Sequence, residues 1–253
     1  MADGIYTALT GAVAQQHSLD VIANNVANVT TAGYRADKAV FSEFLAGAQR
    51  KDVPHVSASG TDPTRPDRFV HVDEISHDYS NGALKLTGNP LDMALSGDGF
   101  FVVQTPQGDR LTRAGSFMMQ KDGSLVTPEG YPVMGTDDKP IKLASSTNIK
   151  VGTDGLIQVN DQAAAKLKLV RAEDPATLEK ENNTHFLAGK TTKLVQAKDI
   201  QVSQGSIEAS NVNAVAGLNE LITVSRSFDA LQRVIETFQK IDDRTARELG
   251  ARS

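Results

Sequence analysis

The sequence predicts an α+β chain, with N- and C-terminal helices pairing as an α-helical, coiled-coil-like domain and an all-β domain inserted between them. Two observations predict this. Both ends place apolar residues at alternating steps of three and four, whereas the middle has short apolar runs separated by Asp-Gly and related turn signals. Composition agrees: 40% of the 253 residues are hydrophobic, enough for a buried core. Only 5% are aromatic, none is Trp and 20 are Gly, which suits many turns better than an aromatic-centred core.

At the N-terminus the apolar positions are Ile5, Leu9, Ala12, Leu19, Ala23 and Val26, interrupted only at Gln16 and widened by Val13 and Ile22. Such a stripe belongs to an amphipathic helix with a coiled-coil-like seam. The helix is expected to end near Thr30–Gly33, where Gly33 supplies the left-handed residue that helix C-termini favour. At the other end, Leu221, Val224, Phe228, Leu231, Ile235 and Phe238 carry the same alternation, predicting a helix over about 213–248 with Ser210 or Asn211 as N-cap. Neither helix can bury its stripe alone, so each requires the other or a neighbouring copy.

Between them, Gly97-Asp98-Gly99-Phe100-Phe101-Val102-Val103-Gln104 reads as a turn feeding a buried strand. Further strands are expected at 111–112, 116–120, 124–127, 149–151, 156–159 and 167–170, separated by turn signals at 107–109, 121–123, 128–130 and 153–155. From about 48 to 69 the chain is polar, carries Pro54, Pro63 and Pro66, and reads as an extended linker. The expected division is therefore 1–35 with 206–253 as helical assembly domain, 36–80 as linker region and 81–205 as β-rich outer domain.

Several function classes are disfavoured. A net charge of −5 lacks the footprint that nucleic-acid phosphates demand. The absence of Cys removes disulfides, thiolate catalysis and Cys-based zinc sites. No run approaches the roughly 20 apolar residues of a membrane-spanning helix, so no membrane insertion is expected. The N-terminus has an acidic start and a polar Gln15-Gln16-His17 centre, unlike a secretory signal, so the segment is expected to be retained. His71 and His77, with Asp73, Glu74 and Asp78 nearby, fit neither a helical ligand pair nor a zinc pattern and read as a solvated strand. Gly97-Asp98-Gly99 lacks the Lys-Ser/Thr of a phosphate loop. No nucleophile elbow or spaced carboxylate pair appears, so no enzyme activity, cofactor or metal is expected.

The segment Asp20–Arg35 resembles the N-terminal signature of the flagellar rod and hook family of axial proteins. The residues that carry the likeness are Val21-Ile22, Ala23, Asn24, Asn25, Val26, Ala27, Asn28, Thr30-Thr31, Gly33-Tyr34 and Arg35. Asn89–Val103 is similar to the family's element at the start of its β-domain, and Leu111–Phe117 to one of its strands, with Leu111 replacing the usual aromatic. Gly205–Val212 resembles the segment that opens the C-terminal helix. Ile5-Tyr6-Thr7-Ala8 and Asp242–Arg247 look like the proximal-rod type. The distal-rod type would carry a Gln-Arg-Ala-Tyr-like stretch where this chain has Ser225-Arg226-Ser227-Phe228.

The resemblance implies a structural subunit of the flagellar rod, with both helices in an inner tube and the β-domain outside. It implies export through the flagellar apparatus without a cleaved signal, into a rod that crosses the periplasm. The implied partners are copies of the chain and other axial proteins, both proximal and distal rod subunits. The N-terminal subunit-contact residues would be Val21, Ile22, Asn24, Asn25, Val26, Asn28, Thr30, Gly33 and Tyr34. Those of the C-terminal helix would be Leu221, Val224, Phe228, Leu231, Ile235 and Phe238. Asn side chains suit such contacts because they can satisfy backbone groups that would otherwise be buried unpaired. The alternatives are a distal-rod subunit and a surface adhesin-like β module on an oligomerising helix.

Overall fold

A computed structural model describes residues 2–46, 67–144, 148–189, 192–197 and 199–250. Most of the stretch read as an extended linker, 47–66, lies outside the described residues. The chain divides into two compact units, one of Met1–Asn24, Asp37–Ser76 and Ala214–Ser253, the other of Asn25–Ala36 and His77–Asn213.

The first unit holds α1 (Ala2–Ala27) up to Asn24, α2 (Ala214–Gly250), and a two-stranded sheet of Asp37–Ala46 and Asp67–His77. All six apolar positions expected to form the α2 seam are half-buried, and apart from Ser225 the residues between them are exposed. α1 follows its expected stripe only in part. Leu9 and Ala23 are exposed, whereas Ala8, Ala12, Ala14 and Ile22 are buried. Ile5, Leu19 and Val26 of the stripe are half-buried, and the small side chains of Ala8, Ala12 and Ala14 let a neighbouring element approach closely. At Gly11 a Cβ would lie 3.5 Å from Leu231 Cδ1, which places α2 against α1 there. The strand at 67–77 covers the His71–His77 stretch that the sequence reads as a strand, whereas the strand at 37–46 and the pairing of the two were not anticipated. Runs such as Val40-Phe41 and Phe69-Val70 have strand propensity, but no Asn-Gly or Asp-Gly turn signal marks them as a hairpin.

The second unit is β-rich. Its largest sheet has six antiparallel strands in the order Leu178–Lys180, His185–Ala188, Gly108–Thr112, Phe100–Thr105, Leu169–Ala172, Leu194–Gln196. A three-stranded sheet of Ile149–Val151, Leu156–Val159 and Gln162–Lys166 accompanies it. Two-stranded ribbons pair Met93–Ser96 with Gln201–Gln204 and Leu84–Leu86 with Ser206–Glu208.

Phe100–Thr105 explains why four apolar residues in succession are needed. Alternate side chains leave a strand on opposite faces. Phe101 and Val103 enter a cluster with Met93, Leu95, Phe117, Leu125 and Ile157. Phe100 and Val102 enter a second one with Leu111, Met134, Val170 and Phe186. Both faces of this strand are core, as its unbroken hydrophobicity predicts.

Candidate functional site

Three of the sequence motifs meet inside the β-rich unit. Tyr34-Arg35 ends the first, Arg113 lies in Leu111–Phe117, and Glu208 lies in Gly205–Val212. The approach begins at Gly33, which has φ +70 and packs so closely that a Cβ would stand 2.3 Å from the amide nitrogen of Ala114. Only glycine meets both demands at low cost. The Gly33 N–H donates to the carbonyl of Glu208 at 2.8 Å, tying the first motif to the third.

Beyond this turn the side chains of Arg35, Arg113 and Glu208 are each within 2% of full burial. Arg35 Nη1 lies 2.7 Å from Glu208 Oε1, and Arg113 Nε lies 3.0 Å from Glu208 Oε2. Remaining donors are partly satisfied. Arg35 donates to the Ser80 carbonyl and to Asn81 Oδ1, and Arg113 donates to Asn81 Oδ1 and to the Gly97 carbonyl. Glu208 Oε1 also accepts from the Gly82 amide at 2.8 Å. Burial pulls the Arg113 guanidinium down to about 10; Glu208 opposes that fall and the charge of Arg35 adds to it. Arg113 therefore stays charged near neutrality, and two cations share one carboxylate.

Surrounding bonds hold the adjoining chain. Asn211 Oδ1 accepts from the Ala36 amide at 2.8 Å, while its Nδ2 donates to the Asp78 and Ser80 carbonyls. Lys180 Nζ donates to the Arg35 carbonyl and stands 4.0 Å from the centre of the Tyr34 ring. The Tyr34 hydroxyl donates to Asn25 Oδ1 at 3.0 Å, and Asn183 Nδ2 donates to Asn28 Oδ1 at 2.7 Å. The junction thus clamps the residues that follow α1 to those that precede α2. Among the described residues no group of three His, Asp or Glu is arranged to hold a metal.

The N-terminal motif residues separate into two sets. Ile22, Asn28, Gly33 and Tyr34 are buried, and Asn25 and Asn28 bond within the chain. Val21 and Val26 are half-buried, while Asn24 and Thr30 are exposed. Sequence reasoning assigned no role to Arg35, Arg113 or Glu208, although each was quoted inside a motif. The available signal was a charged residue embedded among small or apolar neighbours, as in Leu111-Thr112-Arg113-Ala114-Gly115 and Ser206-Ile207-Glu208-Ala209.

In the helical unit a different feature stands out. Tyr6, Leu9 and Val13 are 58%, 47% and 49% exposed at helical spacing on α1. On α2, Val215, Leu218 and Ile222 are 71%, 49% and 50% exposed with the same steps. Each helix therefore has a second apolar stripe besides its half-buried face.

His185 adds a pH-sensitive element to the β-rich unit. It is buried, its Nε2 has no hydrogen-bond partner, and the Tyr131 ring meets it edge-on at 5.7 Å. Burial pulls its pKa below the usual 6.5 despite the nearby carboxylates of Glu129 and Glu181, with Arg110 adding to the fall. The unfolded chain binds the proton more readily, so this contribution to stability is intact above 6.5 and is lost as pH falls through the lower, folded value. Urea titrations between pH 7.5 and 5 should show it, with a slope of at most about 1.4 kcal/mol per pH unit. His185→Phe should flatten that part of the profile; an unchanged slope would assign it to other groups.

Comparison with known proteins completes the description. Family models match three stretches: "Flagella basal body rod protein" over 5–35, "Flagellar hook protein FlgE/F/G D1 domain" over 94–159, and "Flagellar basal body rod FlgEFG protein C-terminal" over 203–248. Arg35, Arg113 and Glu208 fall one in each. The flagellar basal-body rod protein FlgF of Mesorhizobium japonicum is 32% identical over 255 residues, covering 100% of both chains. FlgF of Rhizobium meliloti is 33% identical over 252 residues and 99% of each chain. FlgG of Buchnera aphidicola subsp. Schizaphis graminum is 30% identical over 253 residues, 94% of this chain and 96% of its own.

Proposed function

The chain belongs to the flagellar basal-body rod protein family as a FlgF-like structural rod subunit, with FlgG the next most similar type, and from that premise we propose that it occupies the proximal rod and assembles through its terminal helices. The observation that supports this most is the exposed apolar stripe on each helix, Tyr6-Leu9-Val13 and Val215-Leu218-Ile222. Within one chain the alanine face of α1 and the Leu221–Phe238 seam of α2 already have partial cover. The outer stripes therefore gain most from neighbouring subunits. A contact that joins different faces and does not close into a ring propagates as an open helical stack, which is the form of a rod.

On this reading Asn24 and Thr30 face neighbours directly. Val21, Ile22, Asn25, Val26, Asn28, Gly33 and Tyr34 shape the same contact from within. The α2 seam of Leu221, Val224, Phe228, Leu231, Ile235 and Phe238 completes its half-burial against adjoining helices. The protein acts without catalysis, helping to carry torque from motor to hook. It reaches the periplasm-spanning rod through the flagellar export apparatus with its N-terminus uncleaved. No described helix is long and apolar enough to cross a membrane.

Deleting the gene and imaging isolated basal bodies by electron microscopy tests the proposal. Loss of rod, hook and filament with the inner-membrane ring retained is the expected result. Intact hooks and filaments in the deletion strain would overturn it. Complementation separates the rod positions, since the gene should rescue a host lacking its proximal-rod protein and fail in one lacking the distal-rod protein.

A further inference from the structure

The charged junction borders a cavity of about 40 Å³. Its deepest lining is the buried pair Arg35 and Arg113; Tyr79, Phe100 and Ala172 form apolar walls; Arg171 and Asp98 are exposed at the opening. A water needs roughly 10–15 Å³ on this measure, so the space suits a few waters or one small polar group.

Two observations point to an anion. Glu208 neutralises only one of the two buried guanidiniums, leaving one positive charge in excess (two minus one) in a site shielded from solvent. Arg35 Nε and Arg113 Nη1 are also buried donors with no hydrogen-bond partner. A buried unpaired donor is costly, and more so when it is charged. Asp98 and Arg171 both lie exposed at the opening, where water screens their charges and their opposite signs offset, so the excess is that of the buried pair.

The lining narrows the class of anion. A phosphate brings close to two charges and at least three strong acceptor oxygens. The walls of Tyr79, Phe100 and Ala172 provide few donors for so many. A carboxylate brings one charge and two oxygens, matching one excess cation and two unpaired donors, and its carbon stem would lie against the apolar walls.

We propose that this cavity is a binding site for a single carboxylate carried on a short aliphatic stem. The group has two sources, the side chain of an acidic residue on another axial subunit or a free small monocarboxylic acid. The site depends on the cavity and its donors alone and holds whichever position in the rod the subunit takes.

The test uses the full-length protein labelled with ¹⁵N and follows the arginine Nε–Hε resonances. Acetate, N-acetyl-glutamate N-methylamide, acetamide and sodium chloride at matched ionic strength are the probes. Acetate should shift the Arg35 and Arg113 signals saturably, while acetamide and chloride should not. Arg171→Gln, at an exposed position where the fold is not at risk, removes a screened cation at the opening and should weaken acetate binding by about two- to threefold, an effect that added salt reduces. Binding of the blocked glutamate as well assigns the site to a side chain, and binding of acetate alone assigns it to a free acid; both support the proposal. Shifts that never saturate, that chloride reproduces, or that Arg171→Gln leaves unchanged would overturn it.

Discussion

Glu208→Gln is expected to destabilise the β-rich unit by about 3–5 kcal/mol, the usual cost of removing one partner from a buried ion pair. The substitution preserves shape and leaves Arg35 and Arg113, both within 2% of full burial, with no carboxylate between them. It also weakens the acceptor for the Gly82 amide. A shift of the urea midpoint with unchanged slope would measure the loss directly. The double variant Glu208→Gln with Arg113→Met removes one charge of each sign and should recover a substantial part of it. Such recovery identifies charge imbalance, rather than lost packing, as the cause. A loss under about 1 kcal/mol would mean that the cluster behaves like a surface pair and that water reaches it.

Leu9→Asp and Ile222→Asp are expected to abolish rod assembly while leaving the subunit as folded as before. Both residues are about half exposed in the single chain, so a carboxylate there stays hydrated until a neighbour covers it. Assembly would then bury an unpaired charge and lose the roughly 1.5–3 kcal/mol that a buried Leu or Ile contributes. Because every subunit repeats the contact, the penalty recurs along the whole stack. Leu231→Asp should behave differently. Leu231 packs against Gly11 within the chain, so its loss should reduce helix stability in the isolated subunit as well. Electron microscopy of basal bodies and thermal melts by circular dichroism separate the two outcomes. Normal rods in the Leu9→Asp strain would remove that stripe from the assembly surface.

The contrast between Leu9 and Leu231 shows how far periodicity reaches. Steps of three and four residues locate an apolar stripe, and the α2 seam from Leu221 to Phe238 was legible for that reason. On α1 two apolar faces lie close together in angle, and the pattern favoured Leu9 and Ala23. The face turned inward keeps Ala12 and Ile22 of that pattern, adds Ala8 and Ala14 and leaves Leu9 and Ala23 out, since close approach at Gly11 selects small side chains nearby. Strand positions followed a similar rule. Runs bounded by Gly-containing turns, such as Phe100–Thr105 and Leu156–Val159, were readable. Met93–Ser96 and Gln201–Gln204, though each is followed by a glycine, were not, since they pair with each other from far away in sequence.

The sequence by itself determined the α+β class, the presence of a helix at each end, and membership of the axial family through motifs dense enough to stand alone. Those features depend on neighbours within a few residues or on short linear patterns. The tertiary structure alone decided which face of α1 is covered and that Arg35, Arg113 and Glu208 form one buried cluster. Their separations in sequence, 78 and 95 residues by numbering, leave no local trace. A charge is placed in a core only where distant segments deliver its partner, and that delivery is a property of the folded chain.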